Sequence, residues 1–317
     1  YYYNNNYGSL LQACCLRNFL KKNFNVKIEF LNYLPLKLIF YEFYRPLITK
    51  KLFNFISAIK KNYKLRKWKK LKNLESPIPF FKEINKGVTI FGSDEVWNFT
   101  NKYYGYNSYF FGKLIKGIKI AFSVSIGNAN IKKLEKKKLS EIKILLKSFR
   151  NISSRDYATK NFLKKVTGRN YNLTIDPTLL DDSKNIINPK KINNLVKKNY
   201  ILIYGSEFTK NIIGRIINFA HQNNMKIYSV GYNISWADKN FIDANPDEFI
   251  DLIYNSKIVF TSMFHGIVLS LRLNKNFWYF VDSQNSVRRD KVKFVVDLFG
   301  IKRRSLLKSF DYNKNLN

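Results

Sequence analysis

Between Ile258 and Leu271 the chain reads IVFTSMFHGIVLSL, and this stretch restricts the fold more than any other. A run of β-branched and aromatic residues, Ile258-Val259-Phe260, stops at Thr261-Ser262. His265-Gly266 follows on a short loop, and a second apolar run starts at Ile267. Buried strand, tight turn and helix is the order this predicts. His265 then stands at a strand's carboxyl end and in the first turn of a helix. Open α/β sheets bind ligands at strand carboxyl ends, and helix amino ends attract anions. Only two histidines are present; the other, His221, falls at a predicted helix carboxyl end, where it complements the dipole.

The same alternation runs along the rest of the chain. Tyr1–Tyr3 read as the tail of a strand, and Asn4 to Gly8 as a polar loop. A helix capped by Ser9 then leads to Lys21-Lys22 and a strand over Val26–Leu31. The G-x-G-x-x-G dinucleotide spacing is missing. Strands are predicted at 87–91, 118–125, 151–154 and 171–175, with helices over about 131–149 and from Asp156 onward. The polar stretch from Leu180 to Pro189 reads as a junction. Beyond it come strands at 200–204, 226–230 and 277–281, besides the one at Ile258. Helices there carry Ile212, Ile216 and Ala220 on one face, open with Asn245-Pro246-Asp247-Glu248, and span about 290–299. The prediction is two Rossmann-like, doubly wound α/β domains, 1–182 and 183–317.

At 317 residues the chain is long enough for two cores. Its 56 Lys and Arg against 22 Asp and Glu leave a formal charge of +34. Such a field draws nucleic acid, anionic lipid or small anions without choosing among them. The most basic tract, 37–75, holds twelve Lys and Arg against Glu42 and Glu75, with aromatics interleaved up to Trp68. It reads either as a basic amphipathic helix for an anionic membrane face or as a solvated insertion in the first domain. Cys14 and Cys15 are adjacent, which suits neither a disulfide nor a metal site and fits a reducing compartment. No signal peptide and no apolar run of roughly 18 residues is visible, so the expected location is cytoplasmic, peripheral on the inner membrane face if the tract docks there.

Six phrases in order resemble the polysaccharide pyruvyl transferase family: NNNYGSLLQACCL, FGSDEVWN, IAFSVSIG, Ser153-Ser154-Arg155-Asp156, IDPTLL and TSMFHG. The phrases fall between Asn4 and Gly266, and the resemblance in order and spacing extends from Tyr1 to about Gly300, nearly the whole chain. The resemblance implies a two-domain, GT-B-like protein. It also implies transfer of the carboxyethylidene group of phosphoenolpyruvate to a sugar diol of a surface glycan or its lipid-linked precursor, giving a cyclic ketal. Carried over by motif, Arg155, Ser262, His265 and Gly266 hold or activate phosphoenolpyruvate. Asn6, Tyr7, Gly8, Asp94 and Trp97 face the acceptor. Many members have Arg where this chain has Met263, so Arg288, Arg289 or Lys291 is expected to supply the missing cation.

This chemistry asks for an acid, a base and anion contacts, with no cofactor and no metal. An imidazole can donate and accept a proton within one cycle, which suits His265, and Asp94 would serve as base to a hydroxyl. Two other classes stay open. A nucleotide-sugar glycosyltransferase of the same architecture finds its hints in Glu207 and the Gly205-Ser206 turn. A basic nucleic-acid-binding protein has the charge with Trp68 and Tyr63, but no recognised module, so no specific nucleic acid is expected as partner.

Overall fold

The computed structural model of the chain describes residues 6–31, 52–74, 83–84, 87–101, 105–180, 199–281 and 286–307, apart from the side chains at 52–55, 58 and 286–289. The expected strand at Tyr1–Tyr3, the tract before Leu52 and the junction after Leu180 lie outside the described residues. Two compact units emerge. The first comprises Tyr1–Lys50, Lys72–Asp181 and Asp290–Phe294; the second comprises Lys51–Leu71, Asp182–Arg289 and Val295–Asn317. Two segments therefore cross the single boundary drawn from the sequence: a helix within the basic tract groups with the second unit, and Asp290–Phe294 with the first.

The first unit opens with helix α1 (Tyr7–Phe24). Its cap is Asn6, whose side chain accepts from the Gly8 backbone N–H at 2.9 Å, and not Ser9. Either residue type can cap; Asn6 takes the position because Ser9 is drawn off by a more distant partner described below. Asn25, left-handed at φ 47°, closes the helix, and Lys21 and Lys22 complement its dipole. Residues 25–30, in the expected strand region, show no strand, and Leu31 makes only a single bridge. Lys27 instead pairs with Glu29 at 2.8 Å on an exposed stretch with no apolar face to bury.

Helix α2 (Leu52–Leu71) belongs to the second unit. Returning to the first, β1 (Val88–Asp94), β2 (Ile118–Val124), β3 (Asn151–Ser154) and β4 (Asn172–Leu173) pair in parallel in that order. Between β2 and β3 comes α3 (Lys136–Lys147), shorter than predicted because a 3₁₀ turn at Ile131–Lys133 and extended residues precede it. Helix α4 (Tyr157–Thr167) follows β3, capped by Asp156 and ended at Gly168. Trp97, Phe111, Ile142, Leu146 and Leu163 form the heart of the core. The pairing of β2 with β3 shifts between Ala121 and Val124, where Ser123 is left-handed at φ 52°. Gly92 is required opposite: a Cβ there would lie 2.0 Å from the Phe122 carbonyl oxygen.

In the second unit, β5 (Tyr200–Tyr204), β6 (Lys226–Val230), β7 (Lys239–Phe241), β8 (Ile258–Thr261) and β9 (Phe277–Tyr279) form a parallel sheet ordered β7-β6-β5-β8-β9. All of β5 and β8 is buried, as central parallel strands covered by helices require. Helices α5 (Lys210–Gln222), α6 (Pro246–Asn255) and α7 (Phe264–Arg272) intervene, and α8 (Ser286–Leu298) follows. The predicted start of α6 is present as a full capping box between Asn245 and Glu248. Strand β7 was not predicted, because Lys-Asn-Phe has no apolar run. Strand order reverses at β5 and β8: β6 and β7 extend to one side, β9 to the other.

Candidate active site

In the first unit the carboxyl ends of the strands carry an ion-pair cluster. β1 ends in Asp94, left-handed at φ 71°, and β3 is followed at once by Arg155. The Arg155 guanidinium donates from Nη2 to Asp94 Oδ1 at 3.2 Å and from Nη1 to Asp176 Oδ2 at 3.1 Å. Arg155 is 2% exposed, and Asp176 is fully buried. Burial works against the charge, but Asp94, Asp176 and Asp156 outweigh it and hold Arg155 above its ordinary pKa.

Helix α1 braces both carboxylates from one face. Ser9 Oγ donates to Asp94 Oδ2 at 2.5 Å, and Gln12 Nε2 donates to Asp176 Oδ2. The i, i+3 spacing puts the two side chains one turn apart. Asp176 Oδ1 meanwhile accepts from the Thr178 backbone N–H at 3.0 Å. Neither Gln12 nor Asp176 was among the candidate site residues. The signal was present: Ser9 and Gln12 are polar positions on the buried side of a helix that otherwise buries Leu10, Leu11, Cys14 and Cys15.

Several predicted site residues take other places. Trp97 is fully buried, stacks on Phe111 at 5.4 Å and donates to the Phe110 carbonyl at 2.8 Å, so it is a core residue with no face for an acceptor. Tyr7 and Gly8 are buried in the first turn of α1, and Asn6 caps it, where a loop was predicted. The fork of Arg155, predicted to meet the donor, is engaged by two carboxylates. Lys291 joins this first unit, where its Nζ contacts Glu95 Oε1. Burial lowers its pKa to about 8 against the opposing pull of Asp94. Glu95 is wedged tightly: Oε2 accepts from Asn98 at 2.7 Å, and a Cβ on Gly127 would meet that oxygen at 2.2 Å.

The second unit carries its cluster where the strand order reverses, the position at which open α/β sheets bind ligands. Ser262, just past β8, donates its backbone N–H to the Tyr204 carbonyl at 3.1 Å. Its hydroxyl is buried and has no hydrogen-bond partner among the described residues. Gly205, at φ 124°, closes over it: a Cβ there would lie 2.1 Å from Ser262 Oγ. Thr261 Oγ1 donates to the Tyr204 carbonyl at 2.8 Å and accepts from the Met263 N–H at 3.0 Å. Gly266 lets α7 start against this hydroxyl, since a Cβ would sit 2.1 Å from Thr261 Oγ1. His265 is buried in the first turn of α7, edge-on to Phe264 at 5.3 Å.

Met263 is the residue before α7 and supplies no side-chain cap; its sulfur accepts from the Tyr232 hydroxyl at 3.5 Å. Of the cations expected to replace the missing Arg, Lys291 lies with Glu95 in the first unit, and the side chains of Arg288 and Arg289 are outside the described residues. His221 stands in the last turn of α5, as predicted. Among the described residues no group of three His, Cys, Asp or Glu is arranged to hold a metal ion. A cavity of about 570 Å³ lined by Gly87, Lys116, Lys119 and Arg150 opens at the amino ends of β1 and β2, opposite the end that carries Asp94 and Arg155.

Solved structures that resemble the chain include three distant ones. A functionally uncharacterized protein from Klebsiella pneumoniae shares 13% identity over 77% of this chain and 83% of its own, with a TM-score of 0.43. The UDP-GlcNAc 2-epimerase from Neisseria meningitidis shares 9% over 94% and 90%, with a TM-score of 0.44. The E. coli heptosyltransferase WaaC shares 10% over 92% and 97%, with a TM-score of 0.40. No curated protein matches the chain. The sequence model of one family does match, from residue 6 to residue 284, and so includes α1, Asp94, Arg155 and the turn at Ser262 and His265. The chain belongs to the polysaccharide pyruvyl transferase family.

Proposed function

We propose that the protein transfers the carboxyethylidene group of phosphoenolpyruvate to two hydroxyls of a sugar, in a surface glycan or its lipid-linked precursor. Family membership supports pyruvyl transfer, and one observation supports an anionic donor at the second unit. The buried Ser262 hydroxyl has no hydrogen-bond partner among the described residues and sits at the amino end of α7, at the strand reversal. A buried hydroxyl without a partner costs stability unless a ligand supplies one. An anion there would accept from Ser262 and meet the positive end of the helix dipole.

In the proposed reaction the methylene carbon of the donor takes a proton, and the adjacent carbon gains positive character. One sugar hydroxyl adds to that carbon, phosphate departs, and the second hydroxyl closes the ketal. Of the two hydroxyl protons, one ends on the new methyl group and the other on phosphate. His265 is the group assigned to proton delivery, and Asp94, held by Ser9 and Arg155, is the base assigned to the hydroxyl. Phosphoenolpyruvate is a cytoplasmic metabolite, so the reaction belongs to that compartment.

Titration of the intact protein with phosphoenolpyruvate, compared with Ser262→Ala and His265→Gln, tests this reading. Ser262→Ala should weaken donor binding by roughly tenfold, the worth of one hydrogen bond to a charged ligand. His265→Gln should bind the donor and melt normally, while ketal formation on acceptor glycans falls roughly 10²–10⁴-fold. No binding of phosphoenolpyruvate by the wild type, or full turnover by His265→Gln, would refute it.

A further inference from the structure

Helix α2 has no acidic residue and seven basic ones: Lys60, Lys61, Lys64, Arg66, Lys67, Lys69 and Lys70. One side fastens it to the second unit. Leu65 and Trp68 are buried, and Lys64 reaches both carboxylate oxygens of Glu248 at 3.2 Å and Asp243 at 3.5 Å. The other side carries exposed Ile56, Ile59 and Tyr63 beside exposed Lys60, Lys67 and Lys70. Their spacing of three and four residues brings all six onto one face. Ile59 is 52% exposed and Tyr63 68%, so folding of the unit does not consume this apolar surface. Among the described side chains of α2, Leu65 and Trp68 thus lie on one side and Ile56, Ile59 and Tyr63 on the opposite, outward one. Single exposed apolar residues need no explanation; a row over successive turns, set among cations without one acid, does.

We infer that this outward face docks on an anionic lipid bilayer. Ile56, Ile59 and Tyr63 would enter the headgroup region, while Lys60, Lys67 and Lys70 would meet the anionic headgroups. Charge complementarity argues for it: the net charge of +34 draws the molecule to a negative surface, and on this face Lys60, Lys67 and Lys70 are exposed with no acid on the helix beside them. The aliphatic side chains argue for lipid over a polyanion, since phosphates on a nucleic acid need only the cations. With seven basic residues, α2 would lie in the interface plane, and no helix among the described residues is long and apolar enough to cross a membrane.

The test is co-sedimentation of the full chain with vesicles of phosphatidylcholine alone or mixed with phosphatidylglycerol. Binding should require the anionic lipid and be reversed by about 0.5 M salt, which shortens the Debye length to a few ångströms. The pair Ile59→Ser with Tyr63→Ser, and separately the set Lys60→Gln, Lys67→Gln and Lys70→Gln, should each cut vesicle binding at least roughly tenfold at unchanged melting temperature. These side chains are exposed, so neither set should disturb folding. Equal binding to neutral vesicles, or no binding to the anionic ones, would overturn the inference. So would a serine pair that binds like wild type while an arbitrary DNA duplex competes, for the face would then serve a polyanion.

Discussion

Asp251 illustrates how one residue's environment can set a measurable property. It lies on α6, buried, with Oδ1 lacking any hydrogen-bond partner. Burial, then the nearby charges of Asp247 and Glu248, raise its pKa to about 6. The neighbouring Tyr200 hydroxyl offers no relief, because it donates to the Leu252 carbonyl at 2.7 Å. The folded state therefore holds this proton more tightly than the unfolded chain does. Below pH ~4 both states are protonated and nothing is lost; between about pH 4 and 6 the unfolded chain ionises first, and stability falls. The loss is on the order of 2 kcal/mol by pH 7. Asp251→Asn should remove that slope, so the variant's melting temperature should rise relative to wild type as pH goes from 4 to 6.5. A difference that does not vary with pH would show that the carboxyl ionises freely. Two other residues carry backbone strain: Asp94 and Ser123 are both left-handed without being glycine, at the carboxyl ends of paired strands.

Elements act on the site through their caps and edges. Helix α1 holds Asp94 and Asp176 through Ser9 and Gln12, and Arg155 at the end of β3 bridges the same two carboxylates. Arg155→Lys keeps the charge but loses the planar fork, so it can satisfy only one partner well. Leaving a buried carboxylate poorly paired is costly, and the variant should lose about 2–3 kcal/mol in urea denaturation. If Arg155 instead held the donor, as the family resemblance implies, the variant would fold normally and show a large rise in the Michaelis constant for phosphoenolpyruvate. An unchanged denaturation midpoint would return Arg155 to that role. The turn between β8 and α7 was legible in advance because a short apolar run, two hydroxyl residues and a glycine are local signals. The cap of α1 was misplaced by three residues for the opposite reason. Asn6 and Ser9 have similar capping preferences, and only the distant Asp94 decides which of them is free to cap.

At the scale of the molecule, the charge of +34 sets up self-repulsion that opposes compactness. Adding salt from about 0.02 to 0.2 M should screen it and raise the melting temperature, whereas a protein of balanced charge would respond little. A melting temperature flat across that range would mean that the lysines lie too far apart to repel. The sequence by itself determined the α/β class, most strands, the α6 capping box and the place of His265 in the first turn of a helix. Each of these rests on periodicity, capping or glycine within a few neighbouring residues. Tertiary structure alone decided that Trp97 is core, that Arg155 is buried between two carboxylates, and that Lys291 belongs with Glu95. It also decided that the Ser262 hydroxyl is left without a partner at the strand reversal. Those outcomes depend on pairs such as Gln12 with Asp176, 164 residues apart, and Arg155 with Asp94, 61 apart. No local pattern encodes which distant side chain will complete a hydrogen bond, because that is fixed by strand order and register.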